Sequence, residues 1–226
     1  MYNTKKNIDK IKRGENTYFL DPKEANLVKS KLKKNEYQIY QPYPESNKVI
    51  LYTNKLPKII LYQIKTKIEL RHQDILGSIF SLNITNEMFG DIIIENNQYY
   101  IYVLDIISNY IKSNLLFIKN SPIELEEIDI CTLNNHHQQY EENTIIVSSL
   151  RIDTIISRII NTNRSLVIEK IKDKDILLNY DILTKNSYLL KENDIFSIRK
   201  HGKYKFIGIE KTTKKNNYIV KYLKYI

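Results

Sequence analysis

The sequence predicts an α+β fold, with an N-terminal mixed α/β domain followed by a small domain of two helices and an antiparallel sheet. Three observations carry this prediction. Apolar stretches at Asp91–Glu95 and Tyr99–Val103 flank Asn96-Asn97, which is a hairpin signal. Isoleucines recur with helical spacing from Ile152 to Ile160. Two further strand-like stretches, 203–210 and 217–225, lie near the end of the chain and predict a closing hairpin.

The composition supports packed cores and excludes several classes of protein. Hydrophobic residues make up 42% of the 226 positions, which is enough to build a core. The single cysteine, Cys131, excludes a disulfide scaffold and a multi-cysteine zinc site. No stretch approaches the roughly 20 apolar residues of a membrane span, and the first residues lack the apolar core of a signal peptide. We therefore expect a cytoplasmic protein without membrane insertion.

Charge is distributed unevenly along the chain. Residues 151–226 hold 17 Lys and Arg against 8 Asp and Glu, and residues 1–71 hold 16 against 7, so each region has a net charge of +9. Residues 72–150 hold 2 against 11, a net charge of −9. Concentrated positive charge is typical of proteins that bind polyanions, although a solubility surface has the same composition. The charge alone leaves both interpretations open.

The N-terminal part divides into a segment expected to be flexible and basic, residues 1–16, and a domain at 17–130. The domain should begin with a helix, because Asp21 is a suitable N-cap, Pro22 suits the first helical position and Glu24 completes a capping box. We expect strands at 36–41, 48–53, 59–68 and 123–128, around the hairpin at 91–103. Helices are predicted near residues 75–80, from the apolar spacing there, and at 104–112.

A polar stretch separates the two domains in the sequence. Residues 131–147 are predicted to form the linker, with a short strand from Thr144 leading into the second domain at 148–226. Within that domain, Asn163 interrupts the isoleucine pattern and can cap a second helix. A strand at 176–178 and a turn at 191–194 precede the closing hairpin.

Several short motifs in the C-terminal domain resemble the S-four RNA-binding domain, named after the fourth small-subunit ribosomal protein. In order, they are Leu150-Arg151-Ile152-Asp153, Asn163-Arg164-Ser165, Ile176-Leu177-Leu178-Asn179 and Leu190-Lys191-Glu192-Asn193-Asp194-Ile195. Arg151 and Arg164 match the two arginines that are characteristic of the family. Asn193 stands where the family has Gly, and Leu166 stands where Lys is common.

The chain after residue 17 resembles the YlmH family, which joins such a domain to an N-terminal RNA-binding-like domain. The matching stretches are 71–77 (Arg-His-Gln-Asp-Ile-Leu-Gly), 90–93 (Gly-Asp-Ile-Ile), 199–204 and 213–215. Gln73 and Lys174 depart from the family, which has Arg and Gly there. The resemblance implies binding to ribosomal RNA and tRNA on the large ribosomal subunit, with a role in rescue of stalled subunits. A branch in photosynthetic organisms is linked to photosystem II, so a plastid stroma is the alternative to a bacterial cytoplasm.

RNA binding requires cationic side chains that converge on phosphates, and arginine can also stack on a base. Arg151 and Arg164 are predicted to be the primary contacts, and their alternative role is in surface ion pairs, such as Arg151 with Asp153. Strand alternation places Lys203 and Lys205 on one face and Tyr204 and Phe206 on the other, in the core. The further candidate RNA contacts are Lys170, Lys172, Arg199, Lys200, Lys203, Lys205, Arg71 and His72.

We find no catalytic motif, and the sequence therefore favours a non-enzymatic RNA-binding protein. We expect it to be a monomer that needs no cofactor or metal. There is no Gly-rich cofactor loop or Walker loop, and the adjacent His136 and His137 lack a partner cluster. An RNA-modifying enzyme with an unrecognised N-terminal site remains an alternative, for which Asp74 and Asp91 would have to pair in space. An organelle assembly factor that binds RNA only secondarily is a third hypothesis.

Overall fold

A computed structural model describes residues 3–137 and 139–226 and confirms the α+β class. The chain divides into two compact units, Met1–His137 and Gln138–Ile226, here called the N-terminal unit and the C-terminal unit. The described residues form six α-helices, and every strand pairing between them is antiparallel. The division falls within the stretch predicted to be a linker.

The N-terminal unit begins with two helices and a two-stranded ribbon: α1 (Thr4–Lys12), α2 (Pro22–Lys29), β1 (Gln38–Tyr40) and β2 (Ile50–Tyr52). The predicted N-cap of α2 is confirmed, since the Asp21 carboxylate accepts a hydrogen bond of 2.8 Å from the Glu24 amide. The Glu24 carboxylate does not complete a capping box but accepts from the Asn7 side chain at 2.8 Å. The prediction that residues 1–16 are flexible is wrong for α1. Ile11 is buried against α2 and β2, and this packing gives α1 a place in the core.

The centre of this unit is a four-stranded sheet with the order β4-β5-β3-β8. Its strands are β3 (Ile59–Lys65), β4 (Phe89–Glu95), β5 (Gln98–Leu104) and β8 (Glu124–Ile128), and a short hairpin of β6 (Phe117–Ile118) and β7 (Ser121–Pro122) precedes β8. The predicted hairpin between β4 and β5 is confirmed: Asn96 and Asn97 have φ angles of 50° and 59°, as a tight hairpin turn requires.

Apolar side chains cover both faces of this sheet at its centre, where β5 is buried along almost its whole length. The helices α3 (His72–Ser81) and α4 (Asp105–Asn114) pack on one face through residues such as Ile79 and Ile111. The opposite face packs against Phe19, Tyr43 and Ile50. Gly90 lies so close to Phe19 and Tyr102 that an added Cβ would come within 3.0 Å of each side chain.

The C-terminal unit places α5 (Ile152–Ile159) and α6 (Arg164–Lys172) on one face of a six-stranded sheet. The strand order is β11-β10-β12-β13-β14-β9. The strands are β9 (Tyr140–Val147), β10 (Ile176–Leu178), β11 (Asp181–Ile182), β12 (Ile195–Ile198), β13 (Gly202–Thr212) and β14 (Tyr218–Tyr225). The isoleucine stripe of α5 is buried as predicted, with Ile152, Ile155 and Ile156 inaccessible to solvent.

The predicted linker needs correction in its second half. The short strand predicted from Thr144 is present, but it begins at Tyr140: residues 140–147 form β9, which pairs with β14 from Tyr140↔Tyr225 to Val147↔Tyr218. The polar residues Glu141 and Glu142 belong to this strand because β14 supplies their hydrogen-bonding partner, and lysines of β14 pair with both carboxylates.

Two positions at which the resemblances lead us to expect Gly have positive φ. They are Lys174, a departure from the YlmH pattern, and Asn193, a departure from the S-four pattern, with φ angles of 61° and 68°. A glycine adopts this conformation without steric cost, and asparagine tolerates it better than most residues do. Asn193 suits its turn for this reason, whereas nothing in the structure explains Lys174 at its position.

Candidate nucleic-acid interface

Arg151 and Arg164 converge on one buried carboxylate in the C-terminal unit. The side chain of Asp153 is 0% exposed and lies in the first turn of α5. Arg151 donates to it from Nε at 3.2 Å and from Nη2 at 2.8 Å, and Arg164 donates from Nη2 at 2.9 Å. The ion pair between Arg151 and Asp153 that the sequence offered as an alternative is therefore present, and it holds both arginines together.

The local sequence explains how two arginines 13 positions apart reach the same acid. Arg151 is the N-cap residue of α5, and Arg164 is the first residue of α6. The short connection between the helices contains Asn161, whose φ is 48°, and ends at Asn163, whose side chain accepts from the Leu166 amide. The turn thus brings the beginning of α6 next to the beginning of α5.

The two guanidinium groups keep Asp153 ionised. Burial by itself would raise the pKa of Asp153, but the hydrogen bonds and positive charges of Arg151 and Arg164 outweigh it and hold the pKa at about 2. Each arginine remains partly open to solvent, with 33% of the Arg151 side chain and 50% of the Arg164 side chain exposed. A guanidinium has five N–H donors, so both arginines retain donors for a further anion.

A polar groove of about 500 Å³ runs beside Arg164. Hydroxyl and amide side chains line it, including Thr154, Ser157 and Asn217. Arg158 also lines the groove, is exposed and forms no ion pair within the described part of the chain. Arg158 is not among the contacts predicted from the sequence, although its separation of seven residues from Arg151 was a usable signal, because residues seven apart share a helix face.

The other basic candidates of the C-terminal unit lie outside this arginine pair. Lys170 and Lys172 are in the last turn of α6, with Lys172 exposed. Arg199 forms an exposed ion pair with Asp175 at 3.1 Å. Lys200 has a φ of 68° in the turn between β12 and β13. The structure thus gives each of them access to solvent without joining them to the Asp153 cluster.

Lys203 and Lys205 follow the predicted strand alternation. Tyr204 and Phe206 are buried in the core, which confirms their assignment, while the two lysines lie on the opposite face of β13. The ammonium group of Lys203 lies 5.0 Å from the ring centre of Tyr180 and 4.4 Å from that of Tyr225. Aromatic rings therefore flank this lysine, an arrangement that alternation alone did not predict.

Arg71 and His72 belong to the N-terminal unit, at the start of α3. Arg71 is the N-cap residue, and both its guanidinium and its backbone N–H donate to Asp74, with distances of 2.9 Å from Nη2 and from the amide. Lys119 also donates to Asp74 at 2.9 Å. His72 is exposed beside this cap. Arg71 thus caps α3.

The two carboxylates considered for catalysis have separate partners. Asp91 accepts from the Tyr43 hydroxyl at 2.9 Å and the Asn47 amide at 2.7 Å, which closes the turn before β2. Asp74 is held by Arg71 and Lys119, as above. Residues 3–137 and 139–226 contain no group of three or more His, Cys, Asp or Glu side chains arranged for a metal ion. The Nδ1 atom of His136 instead lies 3.1 Å from the Oε2 atom of Glu95.

No helix among the described residues is long and apolar enough to cross a membrane.

The chain is similar to a protein family, to a bacterial protein and to a solved structure. Residues 54–132 match the family described as "Putative RNA-binding domain in YlmH". The chain is 26% identical over 149 residues to the Ribosome-associated protein quality control protein P2 of Bacillus subtilis (strain 168), which covers 66% of this chain and 58% of that protein. It is also similar to the solved structure titled "Cell division protein ylmH from Streptococcus pneumoniae", with a TM-score of 0.48 and 19% identity over 56% of this chain and 87% of that one.

Proposed function

We propose that this chain, a YlmH family protein, is a non-enzymatic RNA-binding protein that binds ribosomal RNA and tRNA on the large ribosomal subunit. Its role would lie in translation or in rescue of stalled ribosomes, as the name of the Bacillus subtilis relative suggests for that protein. It would act without a cofactor, as a monomer, in a bacterial cytoplasm or alternatively in a plastid stroma. The aligned part is little more than half of the relative's length, so partners and process are part of the proposal.

The observation that carries the proposal is the pair of arginines fixed on Asp153. A phosphate group binds best to donors that are already in position, because a flexible side chain loses conformational entropy when it is ordered. Asp153 orders Arg151 and Arg164 in advance, and both retain exposed donors. One buried negative charge between two positive ones leaves a net positive site at the junction of α5 and α6.

The surface around the arginine pair favours RNA over a small anion as the ligand. The groove beside Arg164 presents hydroxyl and amide groups, which can bond to the 2′-hydroxyl groups and base edges of RNA. Lys170, Lys172, Arg199 and Lys200 would add phosphate contacts, as would Lys203 and Lys205 on the open side of β13. Arg71 and His72 would form a separate contact in the N-terminal unit.

Binding of a structured ribosomal RNA fragment, measured against salt concentration, tests the proposal. Replacing Arg151 and Arg164 by Ala should weaken binding and lower the slope of log affinity against log salt by about 2, one for each lost phosphate contact. The matched control replaces Lys214 and Lys215 by Ala, which removes the same charge from the exposed turn after β13. Equal slopes for the two double variants would refute the site, and sedimentation of the chain away from ribosomal subunits at low salt would refute the proposed partner.

A further inference from the structure

The strand β8 forms one edge of the four-stranded sheet in the N-terminal unit. Its backbone pairs with β3 on one side, and no strand of the described residues pairs with it on the other. An unpaired strand edge presents N–H and C=O groups with which an extended peptide can form hydrogen bonds. The geometry of this edge is therefore that of an acceptor for an added strand.

A groove of about 380 Å³ accompanies the edge and is lined by four apolar side chains, three glutamates and Lys112. The end of α4 and the residues after it form one wall, and β8 forms the other. Leu115 and Leu125 are buried in it, while Leu116 is 52% exposed and the neighbouring Phe117 is 58% exposed. A hydrogen bond of 2.9 Å from the Ile123 amide to the Leu116 carbonyl fixes the groove at one end.

The charge of the edge determines what fits there. Glu124, Glu126 and Glu127 are all exposed on β8. Glu126 is paired with Lys65 at 3.0 Å, whereas Glu124 and Glu127 form no ion pair within residues 3–137 and 139–226. They lie in the segment 72–150, whose net charge is −9. The edge repels a polyanion, so it is unsuited to the RNA that the C-terminal unit is proposed to bind.

The same glutamates argue against a second copy of this chain as the occupant. Two β8 strands paired edge to edge would bring like charges together, which is the usual way in which edge strands avoid self-association. A protein segment rich in Lys or Arg with interspersed apolar residues meets no such repulsion. Such basic extensions are common in proteins that bind nucleic acid.

We propose that β8 and its groove bind an extended basic segment of a protein partner as a fifth strand of the sheet. Lysine or arginine side chains of the segment pair with Glu124 and Glu127. Its apolar side chains cover Leu116 and Phe117, and its backbone completes the hydrogen bonds of β8. The site is independent of the arginine pair in the C-terminal unit.

A labelled peptide that repeats Lys-Val-Val-Lys is a suitable probe, because Lys residues three apart lie on opposite faces of a strand, as Glu124 and Glu127 do. Its binding to the whole chain is measured by fluorescence anisotropy. Reversing two charges with Glu124→Lys and Glu127→Lys should weaken binding about tenfold, since each ion pair at an interface contributes a modest part of the affinity. The control reverses two exposed glutamates of the C-terminal unit, Glu169→Lys and Glu210→Lys, and should change the affinity by less than about twofold.

A second peptide tests the added strand without altering the protein. Methylation of alternate backbone N–H groups keeps the charge and side chains of the peptide but prevents it from completing a β ladder. We expect this peptide to lose most of the binding. Equal binding of the methylated and unmethylated peptides would overturn the proposal, as would no binding of the Lys–Val peptide, displacement of that peptide by RNA at this edge, or dimerisation of the chain through β8.

Discussion

Each compact unit contains an aspartate that pairs with two cationic side chains, and the two aspartates have different structural roles. Asp74 in the N-terminal unit is held by Arg71 from its own helical turn and by Lys119. Asp153 in the C-terminal unit is held by Arg151 at the beginning of α5 and by Arg164 at the beginning of α6. The first cluster caps one helix and ties it to the β6–β7 turn, whereas the second joins two helices and leaves both arginines facing solvent.

The comparison shows that a short motif does not fix the role of its residues. Arg-His-Gln-Asp at 71–74 and Arg-Ile-Asp at 151–153 both place an arginine just before an acid at a helix start. What differs is the surrounding surface. Arg71 is the last residue of the basic segment 1–71 and immediately precedes the acidic segment 72–150, while Arg151 begins a segment with a net charge of +9 and adjoins a second arginine.

The largest expected difference is in stability. Asp153→Ala leaves two arginines without their buried partner and should lower the free energy of unfolding of the C-terminal unit by about 2–3 kcal/mol. Asp74→Ala should destabilise the N-terminal unit less, because the Arg71 side chain is 67% exposed and water replaces its partner. Urea unfolding with hydrogen exchange resolved for each unit measures both effects. Equal losses in the two units would show that the clusters are equivalent.

A smaller difference is expected in RNA binding. Arg164→Ala should reduce the salt slope of RNA affinity by about 1, the value for one phosphate contact. Arg71→Ala should reduce it less, because Arg71 adjoins acidic residues that weaken its attraction for RNA. Filter binding at several salt concentrations distinguishes the two variants. If Arg71→Ala had the larger effect, the principal RNA surface would lie in the N-terminal unit.

The smallest expected effect is a dependence of stability on acid pH. The folded-state pKa of Asp153 is about 2, below that of an aspartate in an unfolded chain. The stabilisation by this group is therefore complete above about pH 4 and is lost as the pH falls towards 2. Asp153→Asn, which cannot titrate, should remove this part of the acid destabilisation of the C-terminal unit. Hydrogen exchange over that pH range would contradict the assignment if wild type and variant lost stability in parallel.

Several elements were predictable because their signals are local. The cap of α2 depends on Asp21 and Glu24, which are three residues apart, and the β4–β5 hairpin depends on two asparagines that tolerate positive φ. The buried face of α5 depends on the spacing of its isoleucines. In each case the interacting groups lie within a few positions, so the sequence pattern and the structure describe the same contacts.

Other elements depended on contacts between distant residues. The helix α1 packs through Ile11 against α2 and β2, and the polar half of β9 is a strand because β14 lies beside it. Neither segment carries a strong local pattern of its own. Sequence reasoning therefore assigned α1 to a flexible segment and residues 140–143 to a linker.

The sequence by itself determined the α+β class, the basic character of residues 151–226 and the identity of Arg151 and Arg164 as the candidate contacts. Only the tertiary structure decided that these arginines share Asp153, that Arg158 lies along the same groove as Arg164, and that β8 has an acidic edge with which no strand of the described residues pairs. The physical reason is that charge and periodicity can be read along the chain, whereas burial and convergence of side chains depend on how distant elements pack. The helices α5 and α6 pack on the six-stranded sheet, and β8 is an edge strand of the four-stranded sheet.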